Sequence, residues 1–427
     1  MKYKRAKIFL LLFVFCIIAY FSNDFQLINI EKTAIIVAIG IDKTQDKQLE
    51  VTAQIAVPQA SNQNESNSDA ILSAKDKTLY GALEKLSLQT GWYPKLTFCN
   101  LILLGNSLTQ ENFTPIIDYV LTSNRFQNSA VIATCEKDAK ETLKSATPLD
   151  NISSFALQKI LLRNLDRSSS VLVSDVRQFC SLSRSRSQFF YTPLIKHVQT
   201  TDKPKGESAQ AYNENGINSE RNPTFLASAS GDGSGSSASG EGGGQGKGGQ
   251  GGENNSVVFD ASQTLFFSKN KPVCILNKEQ THCYNLITKS VRESFIPVKL
   301  SRGGNQIDAL ISIVSNRPKI KIKTDKTAVN VEIKVTLICE KEETFENENL
   351  NQLSNYSKVS NEGLLALEET LTKTIDQLIK LSVENDCDFL QIKELLYRHA
   401  PHDYLKFKDN LLQKCIFKVS VVCKNYR

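Results

Sequence analysis

Residues 203–256 set the strongest limit on how this 427-residue chain folds. The segment is polar throughout, and its later part, "SASGDGSGSSASGEGGGQGKGGQGGENNS", is nearly all glycine, serine and charge. Such a stretch cannot bury enough apolar surface to offset the entropy of ordering it. As a flexible coil it would average about 40 Å end to end. It reads as a disordered linker or long surface loop, so the core-forming residues lie on either side. Its "GGGQGKGGQGG" lacks the GxxxxGK[ST] spacing, and no strand feeds it or helix follows it, so it is not read as a phosphate loop.

The amino-terminal end has a different character. Lys2, Lys4, Arg5 and Lys7 precede an apolar stretch from Ile8 to Phe21, followed by Ser22, Asn23 and Asp24. Basic-then-apolar is the layout of an export signal or signal anchor, with the basic end left in the cytoplasm. The apolar stretch would cover roughly 21 Å of a hydrocarbon core about 30 Å thick, and snorkelling by Lys7 with local thinning closes part of that gap. Cys16 is the candidate lipidation site. A lipoprotein signal usually has a small residue just before its cysteine and Leu three before it; Phe15 and Phe13 stand there instead. The segment therefore reads as an uncleaved anchor, with lipidation at Cys16 or cleavage and release as alternatives.

"EKTAIIVAIGIDKTQDKQLEVTAQIAV" (31–57) opens the first folded body. Thr33–Ile41 is too short to span a bilayer, and strict alternation from Leu49 to Val57 follows the polar "KTQDK". The pair reads as a hairpin, with Gly40 marking a bulge or a close backbone approach. A polar loop and a helix near 75–90 come next, then the strand "LTFCNLILLG". Ser107 and Gln110 suggest a capping box for a helix carrying Phe113, Ile116, Ile117 and Val120. "SAVIAT" (129–134) is a further strand, and residues 153–165 and 174–182 read as helices leading into "FFYTPLI".

Beyond the insert, "TLFFSKNKPVCIL" reads as two short strands about an Asn-Lys turn, and "PKIKIKTDKTAVNVEIKVTLIC" as a hairpin. Leu364, Leu367, Leu371, Ile375 and Leu378 recur at helical steps over 363–384. A second helix starts near Asp388, and "CIFKVSVVCKN" is a closing strand. The expected protein is multi-domain, α/β and α+β, with mixed β-sheets covered by helices behind an N-terminal membrane-anchor helix. Its parts are a basic cytoplasmic region (1–7), the signal or anchor (8–24), an N-terminal α/β domain (30–135) and a smaller, mostly helical region (136–202). The linker (203–256) and a C-terminal α+β domain (257–427) complete it.

Residue chemistry offers no enzyme. His399 and His402 stand three apart, but Pro401 breaks the helix that would aim both inward, and no third ligand has matching spacing. His197 and His282 are isolated. No GxSxG occurs. Asp42, at a strand end, reads as an acceptor for turn amides, and Asp388, at a helix start, as a cap for its own helix. Trp92 is a candidate partner or glycan anchor, or else a cover for the core edge. The other nine cysteines include no CxxC and sit in strand-like contexts, so they read as small buried hydrophobes. No catalytic, cofactor or metal residue is assigned. The net charge of +6 is spread along the chain, which argues against nucleic acid.

Several segments, taken in order, resemble one family, the Ger(x)C proteins, the C subunits of spore germinant receptors. "EKTAIIVAIGIDK...LEVTAQIAVP" is similar to the family's opening hairpin with its "GID" turn, and "TFCNLILLGNSLTQENFTPIIDYVLTSNRF" to its next strand and helix. Asn106 replaces the usual acid there. "TLFFSKNKPVCILNKEQTHCYNLI" and "LEETLTKTIDQLIKLSVENDCDFLQIKELLYRHAPHDYL" resemble the opening and the long helix of the C-terminal domain, with Leu405 near an expected Trp. The resemblance implies a non-enzymatic protein of three α/β-type domains on the outer face of the inner spore membrane. It also implies integral-membrane A and B subunits as partners. These would hold most of the nutrient pocket, leaving this chain as scaffold or coupler in nutrient sensing and in ion and dipicolinate release. The departures are the weak lipidation signal and the Gly/Ser insert, which reads as a mobile joint before the last domain. An exported, membrane-tethered ligand- or cell-wall-binding protein is the alternative.

Overall fold

The computed structural model describes residues 7, 9–17, 33–56, 69–145, 147, 150, 152–163, 170–199, 257–302, 305–345 and 358–426. Residues 9–17 are helical and expose Phe9, Leu10, Leu11, Phe13 and Phe15. No helix among the described residues is long and apolar enough to cross a membrane.

Strands β1 (Thr33–Lys43) and β2 (Leu49–Ala56) form the expected antiparallel hairpin. A third strand, β3 (Asp69–Asp76), extends it where the sequence suggested a polar loop. Helix α1 (Leu79–Thr90) starts where the Thr78 side chain accepts from the Gly81 amide. It stops at Gly91, whose φ of 67° is open to glycine at no steric cost. Strands β4 (Tyr93–Lys95) and β5 (Leu101–Leu104) lie in succession along one edge of β1, both parallel to it. The short helices α2 (Asn106–Thr109) and α3 (Thr114–Thr122) follow. The capping box expected at Ser107 and Gln110 is not formed. Ser107 Oγ accepts instead from the Lys43 amide, 3.0 Å away, and α3 begins later, with Pro115 in its first turn.

Strand β6 (Val131–Cys135) runs parallel to β5. Helices α4 (Ala139–Lys144) and α5 (Ser153–Arg163), strand β7 (Ser174–Asp175), helix α6 (Val176–Ser183) and strand β8 (Phe189–Gln199) come next. Across the insert, β9 (Val257–Ser268) pairs antiparallel with β8, and β10 (Lys271–Leu276) with β9. The sheet order is β10-β9-β8-β6-β5-β1-β2-β3, with β4 beside β1 and β7 beside β6. One mixed sheet therefore spans the divisions drawn above at 135/136 and 256/257. Helices α4 and α5 cover this sheet, and β7 and β8 extend it. Gln199 and Val257 are direct partners in the ladder, so β9 and β10, beyond the insert, continue the first sheet.

The inner strands are buried on both faces. Ile102 and Leu104 point into a core with Leu83 of α1, Ile117 of α3 and Phe179 of α6. Leu101 and Leu103 point the other way, against Ala139 and Leu143 of α4 and Leu157 and Leu161 of α5. This is the two-residue period of a pleated strand. Gly40 marks close approach rather than a bulge: a Cβ there would lie 3.0 Å from Cβ of Ala139, and the register shift falls earlier, between Ile36 and Ala38.

The second sheet follows α7 (Lys278–Thr288), whose start carries a reciprocal capping box between Asn277 and Gln280. Strands β11 (Ser294–Arg302), β12 (Asn305–Thr324) and β13 (Val329–Phe345) form an antiparallel meander. Helix α8 (Asn361–Glu384) lays Leu367, Leu371, Ile375 and Leu378 on the sheet. Helices α9 (Ile392–His399) and α10 (Pro401–Phe407) lead into β14 (Cys415–Asn425), which joins the meander parallel to β13. One apolar cluster runs from Leu83 and Phe113 through Phe266 and Tyr284 to Leu371 and Val331, so the two sheets share a continuous core.

Candidate functional site

The buried carboxylates come first, since an acid or base would be found among them. Asp42 is 5% exposed. Its Oδ1 accepts from the Ala139 amide at 2.8 Å and its Oδ2 from the Lys140 amide at 2.9 Å, so it caps α4 from 97 positions away. The turn-amide role expected from its own strand end is thus replaced by a long-range cap. Burial pushes its pKa up to about 6, against the pull of those two amides. Gly105 makes room for it, because a Cβ there would overlap Oδ1.

Asp388 caps its own helix as expected. Its Oδ1 accepts from the Ile392 amide and its Oδ2 from the Lys393 amide, each at 2.8 Å. It does one thing more: Oδ2 also accepts from the Ser187 hydroxyl at 2.7 Å. Burial raises its pKa above the usual carboxylate range. Glu342, 1% exposed, accepts from the amide and hydroxyl of Ser360 at the start of α8, and Gly363 leaves room for it. All three buried acids hold helix starts in place.

The histidines do not converge. His399 and His402 are exposed on either side of Pro401, which opens α10. His282 Nε2 lies 2.6 Å from Ser294 Oγ, and burial lowers its pKa to about 4. His197 Nε2 lies 3.2 Å from Thr142 Oγ1. Among the described residues no group of three or more His, Cys, Asp or Glu side chains is placed to hold a metal ion. Cys16 is exposed on the helix of residues 9–17. The other nine cysteines are buried or half-buried free thiols, and burial pushes Cys99, Cys135 and Cys283 up to about 12. Thiols so shifted are poor nucleophiles.

What the structure does assemble is a joint between the two sheets. The turn before β8 and the β9–β10 turn meet the loop from α8 to α9. Beside the Ser187–Asp388 bond, Lys269 pairs with Asp386 at 2.9 Å, and the Arg186 guanidinium lies 3.2 Å from the ring centre of Tyr397. Tyr284 donates to the Phe389 carbonyl at 2.8 Å. Phe389 packs on Phe266, Phe189 and Tyr284, with ring centres 5.4, 6.2 and 5.9 Å away. The opposite face of the same strands carries Phe190 stacked on Phe267 at 4.7 Å. Sequence reasoning missed Arg186, Ser187 and Phe389. The only signal was the doubled aromatics of "FFY" and "LFF", which mark a strand pair packed on both faces.

Two surface features stand out. The outer face of the second sheet carries Arg317, Lys319, Lys321 and Lys323 on β12 and Lys334 on β13, with Lys319 and Lys334 directly opposite in the ladder. Beside the first strand, Trp92 is 43% exposed and lines a crevice with Ala34, Ile36, Leu86 and Pro94.

Residues 27–197 match the family described as "Spore germination protein N-terminal domain", and residues 262–424 the one described as "Spore germination B3/ GerAC like, C-terminal". A solved structure described as "Crystal Structure of the GerBC protein" is similar at 15% identity and a TM-score of 0.49, covering 91% of this chain and 97% of that one. No curated protein matches the chain.

Proposed function

We propose that this chain, which belongs to the Ger(x)C family of germinant-receptor C subunits, acts as a membrane-anchored, non-enzymatic scaffold in nutrient-triggered spore germination. The observation that carries the reading is the pair of family matches, in order, on both sides of the Gly/Ser insert. The site geometry agrees with it. Asp42, Asp388 and Glu342 spend their oxygens on helix starts, which suits a body built to be held and to hold.

In this reading residues 8–24 anchor the chain, with Cys16 as the alternative lipidation site. The folded body lies on the outer face of the inner spore membrane. Integral-membrane A and B subunits are its partners and bind most of the nutrient. The helical leader residues favour lipid contact, because Phe9, Leu10, Leu11, Phe13 and Phe15 otherwise face water at a cost of about 25 cal/mol per Å². The shared core of the two sheets gives the body the stiffness that a coupler between membrane subunits needs.

Deleting the gene tests the role. Spores without it are expected to lose the response to at least one nutrient while the response returns on complementation. Nutrient-triggered germination that is unchanged across a nutrient panel would contradict the proposal.

A further inference from the structure

Four large apolar side chains are exposed within one short stretch: Leu88 at 77%, Trp92 at 43%, Tyr93 at 46% and Phe98 at 47%. Exposed apolar residues scattered singly are ordinary, so what matters is where in the fold these stand. Their position in the fold is specific. Strand β4 is parallel to β1, with Tyr93 opposite Thr33 and Lys95 opposite Ile35. Trp92 therefore sits at the level where the chain enters the first strand of the body. Leu88 is in the last turn of α1, at the same end, because Gly91 ends that helix and turns the chain straight into Trp92.

The stretch is held rigidly. The Trp92 amide donates to Thr90 Oγ1 at 3.2 Å, and the Trp92 carbonyl accepts from the Ser87 hydroxyl at 3.1 Å. Lys95 Nζ lies 5.8 Å from the ring centre of Phe98. Tryptophan, tyrosine and a neighbouring lysine are the residues that settle at the membrane–water boundary, where each has an apolar body and a polar tip.

Chain length supplies the occupant. Residues 22–32 separate the apolar leader from Thr33, and even fully extended they reach only about 40 Å. With the leader in a bilayer, the end of the body carrying Thr33 is thus kept within about 40 Å of it. We infer that Leu88, Trp92, Tyr93 and Phe98 form a foot that rests in the headgroup layer of that bilayer and sets the orientation of the body on it. The inference rests on the membrane anchoring proposed above. Anchoring alone leaves the body free to tumble on its tether; a rigid aromatic foot fixes which face meets lipid.

Trp92 is the chain's one tryptophan, so its fluorescence reports the foot directly. The full-length protein is reconstituted into phosphatidylcholine vesicles, with and without lipids brominated near the glycerol backbone, and floated on a density gradient. The expected result is that the protein floats, its emission moves to the blue, and bromine quenches it about twofold. A Tyr93→Glu/Phe98→Glu variant, altered only at exposed positions, is expected to float and melt like the parent while losing the quenching. Flotation of the parent with unquenched, unshifted emission overturns the foot and leaves the anchor standing. A blue shift insensitive to bromine puts protein instead of lipid over Trp92 and also overturns it. Failure to float overturns both readings.

Discussion

The hydroxyl of Ser187 donates to the carboxylate of Asp388 at 2.7 Å, joining the turn before β8 to the start of α9 across 201 positions of sequence. The same carboxylate takes the first two free amides of α9. One buried group therefore starts a helix and ties the turn before β8 to it.

Replacing Asp388 with Ala leaves two amides and a hydroxyl buried without an acceptor. The expected loss of stability is about 3 kcal/mol. Ser187→Ala removes one donor and leaves the carboxylate its two amides, so its cost is about 1 kcal/mol. Denaturant melts of the two variants check the order. Equal costs would mean that the contact, and not the cap, dominates.

Asp42 makes stability depend on pH in a predictable direction. Its folded pKa, about 6, lies above its ordinary 3.8, so the folded state holds the proton more tightly. The stabilisation is complete below about 3.8 and is lost as pH rises through about 6, amounting to about 3 kcal/mol. His282 acts in the opposite sense: its folded pKa of about 4 lies below the ordinary 6.5, so stability is lost as pH falls through that window. The comparison with an Asp42→Asn variant isolates Asp42. The parent's advantage over the variant is expected to grow as pH falls from 7 to 4.5, read from paired melts across that range.

Gly105 is glycine for space, since its φ of −69° suits any residue. Gly105→Ala drives a methyl group into Asp42 Oδ1 and is expected to cost about 3 kcal/mol. The Asp42→Ala/Gly105→Ala pair is expected to cost less than the sum of the two single changes, because the clash disappears with the carboxylate. A double-mutant cycle in urea measures the coupling.

Gln199 and Val257, the residues on either side of the insert, are partners in the β8–β9 ladder, so the insert's length enters the cost of closing that pair. Halving it, for example by removing residues 227–256, is expected to raise stability by about 0.6 kcal/mol through cheaper loop closure. A cooperative melt with a slightly higher midpoint is the predicted outcome.

Lys319 and Lys334 oppose one another across β12 and β13. Lys334→Glu turns a like-charge pair into an attractive one and is expected to stabilise the second sheet by about 0.5 kcal/mol at low salt, with the gain fading at high salt. Thermal melts at two ionic strengths test it.

Local periodicity made much of this fold legible. The β1–β2 hairpin, the Leu367–Leu378 stripe of α8, the β12–β13 hairpin and β14 all follow from steps of two or of three and four. Pairing across distance was not legible. Nothing near Gln199 announces Val257 as its partner, because closing a long polar loop costs little more than closing a short one and leaves no mark on the flanking residues. Asp42 misled for a similar reason: the helix it caps begins 97 residues on. At Ser107, the capping pattern was present, but its hydroxyl serves the Lys43 amide. The joint residues were hidden because Ser187 and Asp388 are each ordinary alone and gain their role only from the packing of two sheets.

In the proposed function the chain works as one subunit of a membrane assembly. Affinity purification of the tagged full-length chain from detergent-solubilised inner spore membranes, with mass spectrometry of what comes with it, tests this most directly. Two multi-span membrane proteins are expected to be recovered together with the chain. Recovery of the chain alone, or from the soluble fraction, would contradict it.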